Sequence, residues 1–367
     1  LTNSLIVANI LHRPMRTFIS ILAVAIQVTL VLLVVGITTW VRVDSARRQE
    51  GIGADILLRG SNAQVFSLSA TPLSIKIKGV LDKVEGVKVV APVLVQTTTS
   101  GAFSQIYGID LQSYSDLSGG FSYLKGTPFE RPFDVIIDDL HARNNRLSVG
   151  DKVQLLAHDF RVSGIVEPGK GARIYIPIKT MQNLMDAPDK ASQFYIKVTD
   201  PGQTEAVVQR IKSISGLSDY TVMAIKEYIS QIANASFPAL DIFIKVMITI
   251  ACLIGFLVIY LSMYTTVTER TREIGILKSL GASKAFIVNT ILRESLLLSA
   301  LGILLGFGFT FLAKQVIVST LPTLSVLITV SWILKASLLA LIAGVLGGFY
   351  PSVRAASQDP IAALSYE

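Results

Sequence analysis

The 367-residue sequence is poor in the groups from which many proteins build cross-links or chemistry: one cysteine, three histidines, two tryptophans, and charged residues at only 16%. The lone Cys252 falls inside an apolar run, so the polar part of the chain has no disulfide available and must rely on a packed core even in an oxidising compartment. Catalytic signatures are missing too. The sequence has no G-x-S-x-G nucleophile elbow, no H-E-x-x-H helix and no G-x-x-x-x-G-K-[ST] loop to cradle phosphate. His141 and His158 are isolated and without cysteine, which makes a poor metal or heme set, and they read as ordinary polar residues. A formal net charge of +7 would suit nucleic acid. The basic residues are instead spread out and interleaved with acids, without aromatic-basic alternation, which argues against nucleic-acid binding.

What the chain has is long uncharged runs. Hydrophobic residues make up 51% of it, and the mean hydropathy is +0.56. The run from Phe18 to Trp40 contains no ionisable residue, with Gln27 as its strongly polar interior side chain. Three more runs, roughly Val246 to Tyr264, Ser295 to Ala313 and Trp332 to Tyr350, occupy the last third. Each suffices to cross the hydrocarbon core, which takes about 20 helical residues. The first run is too long for the apolar core of a signal peptide and is followed by no small-residue cleavage site, so it is expected to be a retained anchor. Lys335, the one charge in these runs, sits one turn inside the fourth, where it can snorkel to the headgroups.

Orientation follows from the charges of short segments. His12, Arg13 and Arg16 precede the first run, and Arg270, Arg272, Lys278, Lys284 and Arg293 lie between the second and third. Both chain ends are therefore expected in the cytoplasm. The fold class expected is an α-helical membrane protein with four transmembrane helices and a large mixed α/β extracytoplasmic domain between helices 1 and 2. In residues, the expected division is a cytoplasmic helix over 1–17, spans over 18–40, 241–268, 285–313 and 332–350, and an extracytoplasmic domain over 41–240. A cytoplasmic helix over 269–284, an outer loop over 314–331 and a cytoplasmic tail over 351–367 complete it.

Within the outer domain, β-branched runs bounded by Gly, Pro or Asp predict strands at Ala54–Leu58, Val87–Val95, Asp134–Ile137, Val153–Leu156, Phe160–Val166, Arg173–Ile176 and Phe194–Val198. Apolar spacing of three and four predicts helices at Ser74–Val84, Thr180–Met185, Gln203–Ile214 and Thr221–Ile232. The turn-rich stretches at 118–120 and 126–132 suggest a division into two lobes. In the spans, Gly302 and Gly306 form GxxxG, and Ala336, Ala340, Gly344 and Gly348 make a ridge of small residues suited to close helix packing.

The segment Thr268 to Lys284, TERTREIGILKSLGASK, is dense in charge at its start. Ile274, Leu277 and Gly281 share one helical face, with Ile276 and Leu280 beside it, so the segment suits an amphipathic surface helix stopped at Gly281. Charge pattern alone fits equally a solvated loop that fixes topology. The motif itself resembles the segment after the second transmembrane helix in the MacB/FtsX/LolC superfamily of ABC transporter permeases. The closing GGFYPSVRAASQDPIAALSYE (347–367), the start Ala8-Asn9 through Arg16-Thr17, and Val149-Gly150-Asp151 followed by Phe160 to Ile165 are similar to other parts of that superfamily.

The resemblance implies a permease, as a homodimer or paired with a homologous permease in the lipid bilayer, docked on an ABC ATPase subunit that binds ATP and Mg. It implies no cofactor in this chain. Glu269, Arg270, Arg272, Glu273, Ile274, Leu277, Lys278 and Gly281 would form the coupling helix that enters a groove on the ATPase, with Ile274 and Leu277 as its apolar anchor. ATP-driven motion would then be passed to an extracytoplasmic domain, with a periplasmic adaptor as a further partner in some relatives. The setting implied is the bacterial cytoplasmic membrane. Two other readings stay open: a subunit that, like FtsX, regulates an outer-face cell-wall hydrolase, and a membrane-anchored receptor without an ATPase.

Overall fold

A computed structural model describes residues 14–60, 72–98, 104–234 and 238–358. The chain falls into two units, one comprising 1–40, 236–319 and 324–367, the other 41–235 and 320–323. The first helix, α1 (Pro14–Glu50), supplies residues to both. Pro14 suits a first turn because the amide it lacks would have no intrahelical partner there. The expected span ends at Trp40, but the helix continues to Glu50. Residues 41–50 contain neither Gly nor Pro, and Arg48 pairs with Asp44 one turn back at 3.0 Å. The proposed start motif at Ala8-Asn9, with His12 and Arg13, lies outside the described residues.

The α/β unit opens with β1 (Ile56–Gly60), β2 (Leu73–Ser74), α2 (Ile77–Leu81), β3 (Val87–Thr98), β4 (Ser104–Ile109) and α3 (Leu111–Ser118). Then follow β5 (Tyr123–Gly126), β6 (Asp134–Asp138), α4 (Asp139–Asn145), β7 (Lys152–Leu155), β8 (His158–Val166), β9 (Ile174–Pro177) and α5 (Ile178–Leu184). It closes with β10 (Lys190–Ala191), β11 (Gln193–Val198), α6 (Thr204–Lys212), β12 (Tyr220–Ala224) and α7 (Ile225–Asn234). Ten strands form one sheet in the order β12-β1-β11-β3-β4-β9-β6-β8-β5, with β7 attached to β8, and β2 pairs with β10. The β4–β9 and β6–β8 pairs are parallel and the others antiparallel.

The expected helix over 221–232 is in part a strand: Tyr220–Ala224 pairs with β1, from Gly60 opposite Tyr220 to Ile56 opposite Ala224. The edge of β1 captures a β-branched stretch whose apolar spacing alone also fits a helix. The helix expected over 74–84 shortens to α2 because Leu73 and Ser74 pair with β10. The sheet is unbroken across 118–120 and 126–132; the two sets of covering helices lie at its two ends. Helices α2 and α6 close a core with Ile56, Leu58, Phe194 and Ile196, while α4 and α5 close another with Val135, Ile137, Phe160 and Val162. The opposite face buries Leu57, Tyr195, Tyr107 and Tyr175 under α3 and α7.

The helical unit contains α8 (Pro238–Glu269), α9 (Thr271–Ser279), α10 (Lys284–Thr320) and α11 (Val330–Ser357). The four long helices α1, α8, α10 and α11 are apolar and long enough to cross a membrane. Helix α10 runs seven residues past the expected end at Ala313. Its 37 residues reach about 55 Å, well beyond a hydrocarbon core of about 30 Å. Helix α11 continues through Pro351, where the sequence suggests an exit at Tyr350. Pro351 forgoes one backbone hydrogen bond, but it, Ser352, Ala355 and Ala356 are all buried, so packing holds the last turns. The closing Asp-Pro-x-x-Ala-Leu motif lies outside the described residues.

Candidate coupling surface and the bundle behind it

Helix α8 ends at Glu269, Arg270 leaves helical geometry with φ −105° and ψ 18°, and α9 begins at Thr271. The far end of α9 is a Schellman stop. The Gly281 amide donates to Lys278 O and the Ala282 amide to Leu277 O, both at 3.0 Å, with Gly281 at φ +93°. Ser283 then caps α10 by accepting from the Phe286 amide at 3.2 Å. A nine-residue helix is thus fixed in length by its own sequence.

The two faces of α9 differ. Thr271, Ile274 and Gly275 turn inward, and Ile274 joins a core with Val267, Ile287, Ile291, Ala355 and Ala356. Ile276, Leu277 and Leu280 face out, with Leu280 80% exposed, and Arg272 and Glu273 are exposed beside them. Ile274, which the sequence offers with Leu277 as an anchor for a partner, is therefore part of the bundle core. The outward apolar group is Ile276, Leu277 and Leu280.

The charges divide in the same way. Glu269 accepts from Arg16 of α1 at 2.8 Å. Arg270 lies 3.8 Å from the buried Glu294 of α10 and 3.9 Å from Glu273. Lys278 donates to the carbonyls of Ala356, at 3.0 Å, and Gln358. Arg354 donates to the Tyr264 hydroxyl at 2.9 Å and lies over the same ring. Glu269, Arg270 and Lys278 clasp α9 and its junction to α1, α10 and the end of α11. Of the charged residues the resemblance assigns to coupling, Arg272 and Glu273 are the ones left facing outward.

The small residues of the spans form the seams of this bundle. A Cβ at Gly302 would meet Val24 at 2.5 Å, and one at Gly306 would meet the Ala25 carbonyl and Val28 at 2.9 Å, so GxxxG brings α10 against α1. Gly344 faces Ser299 and Gly348 faces Ser295, whose hydroxyl is 2.7 Å from that position, while Gly347 abuts the Phe256 carbonyl at 2.9 Å. Ala336 and Ala340 are buried in the same core. The ridge of α11 is thereby wedged between α10 and α8. Gln27 is buried against Gly255, and neither amide atom has a hydrogen-bond partner among the described residues. Thr29 beside it does cross between helices, donating to the Gly306 carbonyl at 3.1 Å. Lys335 stands 4.7 Å over the Trp332 ring.

Sequence reasoning missed a second polar network, in the α/β unit where α1 ends. Arg48 donates to the Gly171 carbonyl at 3.0 Å, and the Gly171 amide returns a bond to Arg48 O at 2.8 Å. Arg173 bridges Asp44 and Asp138, at 3.0 and 2.9 Å. Gln49 donates to Tyr107 and accepts from Tyr195 at 2.8 Å. The available signal was the absence of any helix breaker between Gly36 and Gly51, which places these residues on a continuing helix.

The two histidines of the α/β unit stand in different settings. His141 is buried on α4, its amide donating to the Asp138 cap at 2.7 Å. Its burial, with Arg173 nearby, lowers its pKa to about 4. Asp138 is raised by burial, which the Arg173 guanidinium opposes without cancelling. His158 is exposed and stacks on Phe133 at 6.0 Å. Among the described residues no group of three His, Cys, Asp or Glu side chains is placed to hold a metal.

Two protein families match. The family described as "MacB-like periplasmic core domain" covers residues 17–214, and that described as "FtsX-like permease C-terminal" covers 245–360. Similar proteins include the macrolide export ATP-binding/permease protein MacB of Bdellovibrio bacteriovorus, 26% identical over 96% of this chain and 59% of its own length. MacB of Acinetobacter baylyi is 24% identical over 97% of this chain and 58% of its own. An uncharacterized ABC transporter permease, YknZ, of Bacillus subtilis is 29% identical over 59% of this chain and 55% of its own. The chain thus spans little more than half the length of these relatives. The periplasmic region of MacB from Actinobacillus actinomycetemcomitans is a similar solved structure, with a TM-score of 0.39, 20% identity, and coverage of 51% of this chain and 96% of that one.

Proposed function

Because the chain belongs to the MacB-like family of ABC transporter permeases, with an FtsX-like C-terminal region, we propose that it transmits ATP-driven motion of an ABC ATPase to its own α/β domain. That motion serves export or extraction of a substrate. The permease acts as a homodimer or with a homologous permease. ATP and Mg bind to the ATPase, carried on a partner subunit. The chain termini and α9 lie in the cytoplasm, and the α/β unit lies outside.

The observation that supports this most is the division of α9 into a clasped inner face and an outward face of Ile276, Leu277 and Leu280 flanked by Arg272 and Glu273. An apolar centre with charges at its rim is what a protein groove recognises. The inward clasps give that surface a stiff backing, so a push on it moves α8 and α10 together. The chemistry of hydrolysis belongs to the ATPase, and this chain's residues bind, orient and carry load.

The test is co-purification from the native membrane with the bound ATPase identified by mass spectrometry. Replacing Ile276, Leu277 and Leu280 by Asp puts charge into an apolar contact and should lower ATPase recovery by about tenfold or more, with membrane insertion unchanged. Undiminished recovery refutes the docking face. The co-purified ATPase should also run as a polypeptide distinct from this chain.

A further inference from the structure

Arg59, the fourth residue of β1, is 8% exposed, and its Nε has no hydrogen-bond partner. No ion pair of its guanidinium occurs among the described residues, where its contact is the face of Tyr228 on α7, 5.0 Å from the ring centre. The segments outside the described residues within this unit, 61–71 and 99–103, contain no Asp or Glu, nor does 235–237. They offer no carboxylate to balance it. The Tyr228 phenol does not balance it either, since burial keeps that group protonated, its pKa pushed up to about 12. A buried, uncompensated guanidinium is costly, and such groups are ordinarily paired.

The residues opposite Arg59 on both neighbouring strands are polar. In the sheet it stands opposite Gln193 of β11 and Thr221 of β12, so the three side chains share one face on three adjacent strands. Gln193 is oriented by donating to the Tyr195 hydroxyl at 2.9 Å. We propose that Arg59, with Thr221 and Gln193 beside it, is a binding site for a carboxylate on the α/β unit. A guanidinium presents two parallel N–H donors that match the two oxygens of a carboxylate, and a threonine hydroxyl adds a third donor. Tyr228 holds the guanidinium over its ring face by cation–π attraction. The ligand is recognised by a single carboxylate and not by its remainder, and it links occupancy of this face to α7.

The experiment uses the full chain in lipid nanodiscs and follows hydrogen exchange of peptides spanning 52–60 and 225–234. The probes are sodium acetate, its neutral counterpart acetamide, and inorganic phosphate, at matched ionic strength and pH 7. Acetate at a few times its dissociation constant should slow exchange by about fivefold, because ligand bound only to the closed state scales protection by one plus its relative concentration. Acetamide should not, and Arg59→Met should abolish the acetate effect. Arg59→Lys keeps the charge without the fork and should show a weaker one. Equal slowing by acetate and acetamide, or no slowing in the unaltered chain, overturns the site whatever the variants do. The same acetate effect in Arg59→Met overturns the assignment to Arg59, and stronger slowing by phosphate than by acetate overturns the carboxylate class.

Discussion

At the scale of single residues, polar groups on this chain are mostly committed to neighbours, and pH tests one of them. His141 is neutral when folded, with its pKa lowered to about 4, whereas an unfolded histidine titrates near 6.5. Between these values the unfolded chain binds the extra proton, so folding weakens as pH falls below about 6.5 and is unaffected above it. At pH 5 the loss is on the order of 1–2 kcal/mol. A melting curve of the α/β unit in the full chain, taken from pH 7.5 to 5, should show this decline. His141→Gln should flatten it, and an identical decline in the variant would show that another group is responsible. Gly281 offers a second test. Its φ of +93° strains any side chain, and nothing lies near the position, so Gly281→Ala should cost about 1 kcal/mol through backbone conformation alone. Greater exchange at amides 277–282, with an unchanged bundle, is the expected readout.

At the scale of elements, glycine spacing and apolar runs make the bundle legible in the sequence, and burial decides what they cannot. The ridge at Ala340, Gly344 and Gly348 was readable because small residues at helical spacing have one main use in a membrane. The inward direction of Ile274 was not readable. Ile274, Ile276 and Leu277 are equally apolar, and which of them faces the core depends on how α9 lies against α10 and α11. Charge was misleading for the same reason: Arg270 and Lys278 look like surface groups until Glu294 and the end of α11 come within reach. Strand β12 escaped because Thr221–Ile232 has helical spacing, and only the free edge of β1 made its start extended. The seams predict strong size limits. Gly344→Leu places a branched side chain where Ser299 already sits, and Gly302→Leu does so at Val24, so each should destabilise the bundle by about 1–3 kcal/mol or more. Gly308→Leu, at a glycine of the same α10 helix whose Cβ position is open, should not. Thermal aggregation of the three detergent-solubilised variants, compared side by side, checks this.

At the scale of the whole molecule, α1 is one continuous helix whose residues up to Trp40 belong to the spanning unit and whose last turns are bonded into the α/β sheet. A rod of this kind carries bending load, and a flexible joint does not. A Gly-Ser insertion belongs near Trp40 and Val41, where no residue of the Arg48, Gln49 and Arg173 network is disturbed. Placed after Arg48, the same insertion would break that network and confuse loss of stiffness with loss of folding. If motion reaches the outer domain through helix stiffness, six to eight Gly-Ser residues after Trp40 should leave ATP hydrolysis by the assembled complex intact while substrate-dependent activity falls by about tenfold or more, because a flexible linker stores little bending energy. The melting behaviour of the α/β unit in the same sample controls for folding. Retained activity with an intact fold would mean that force does not travel through α1, and would direct attention to the other crossings between the units, at α7 and α8 and at residues 320–323.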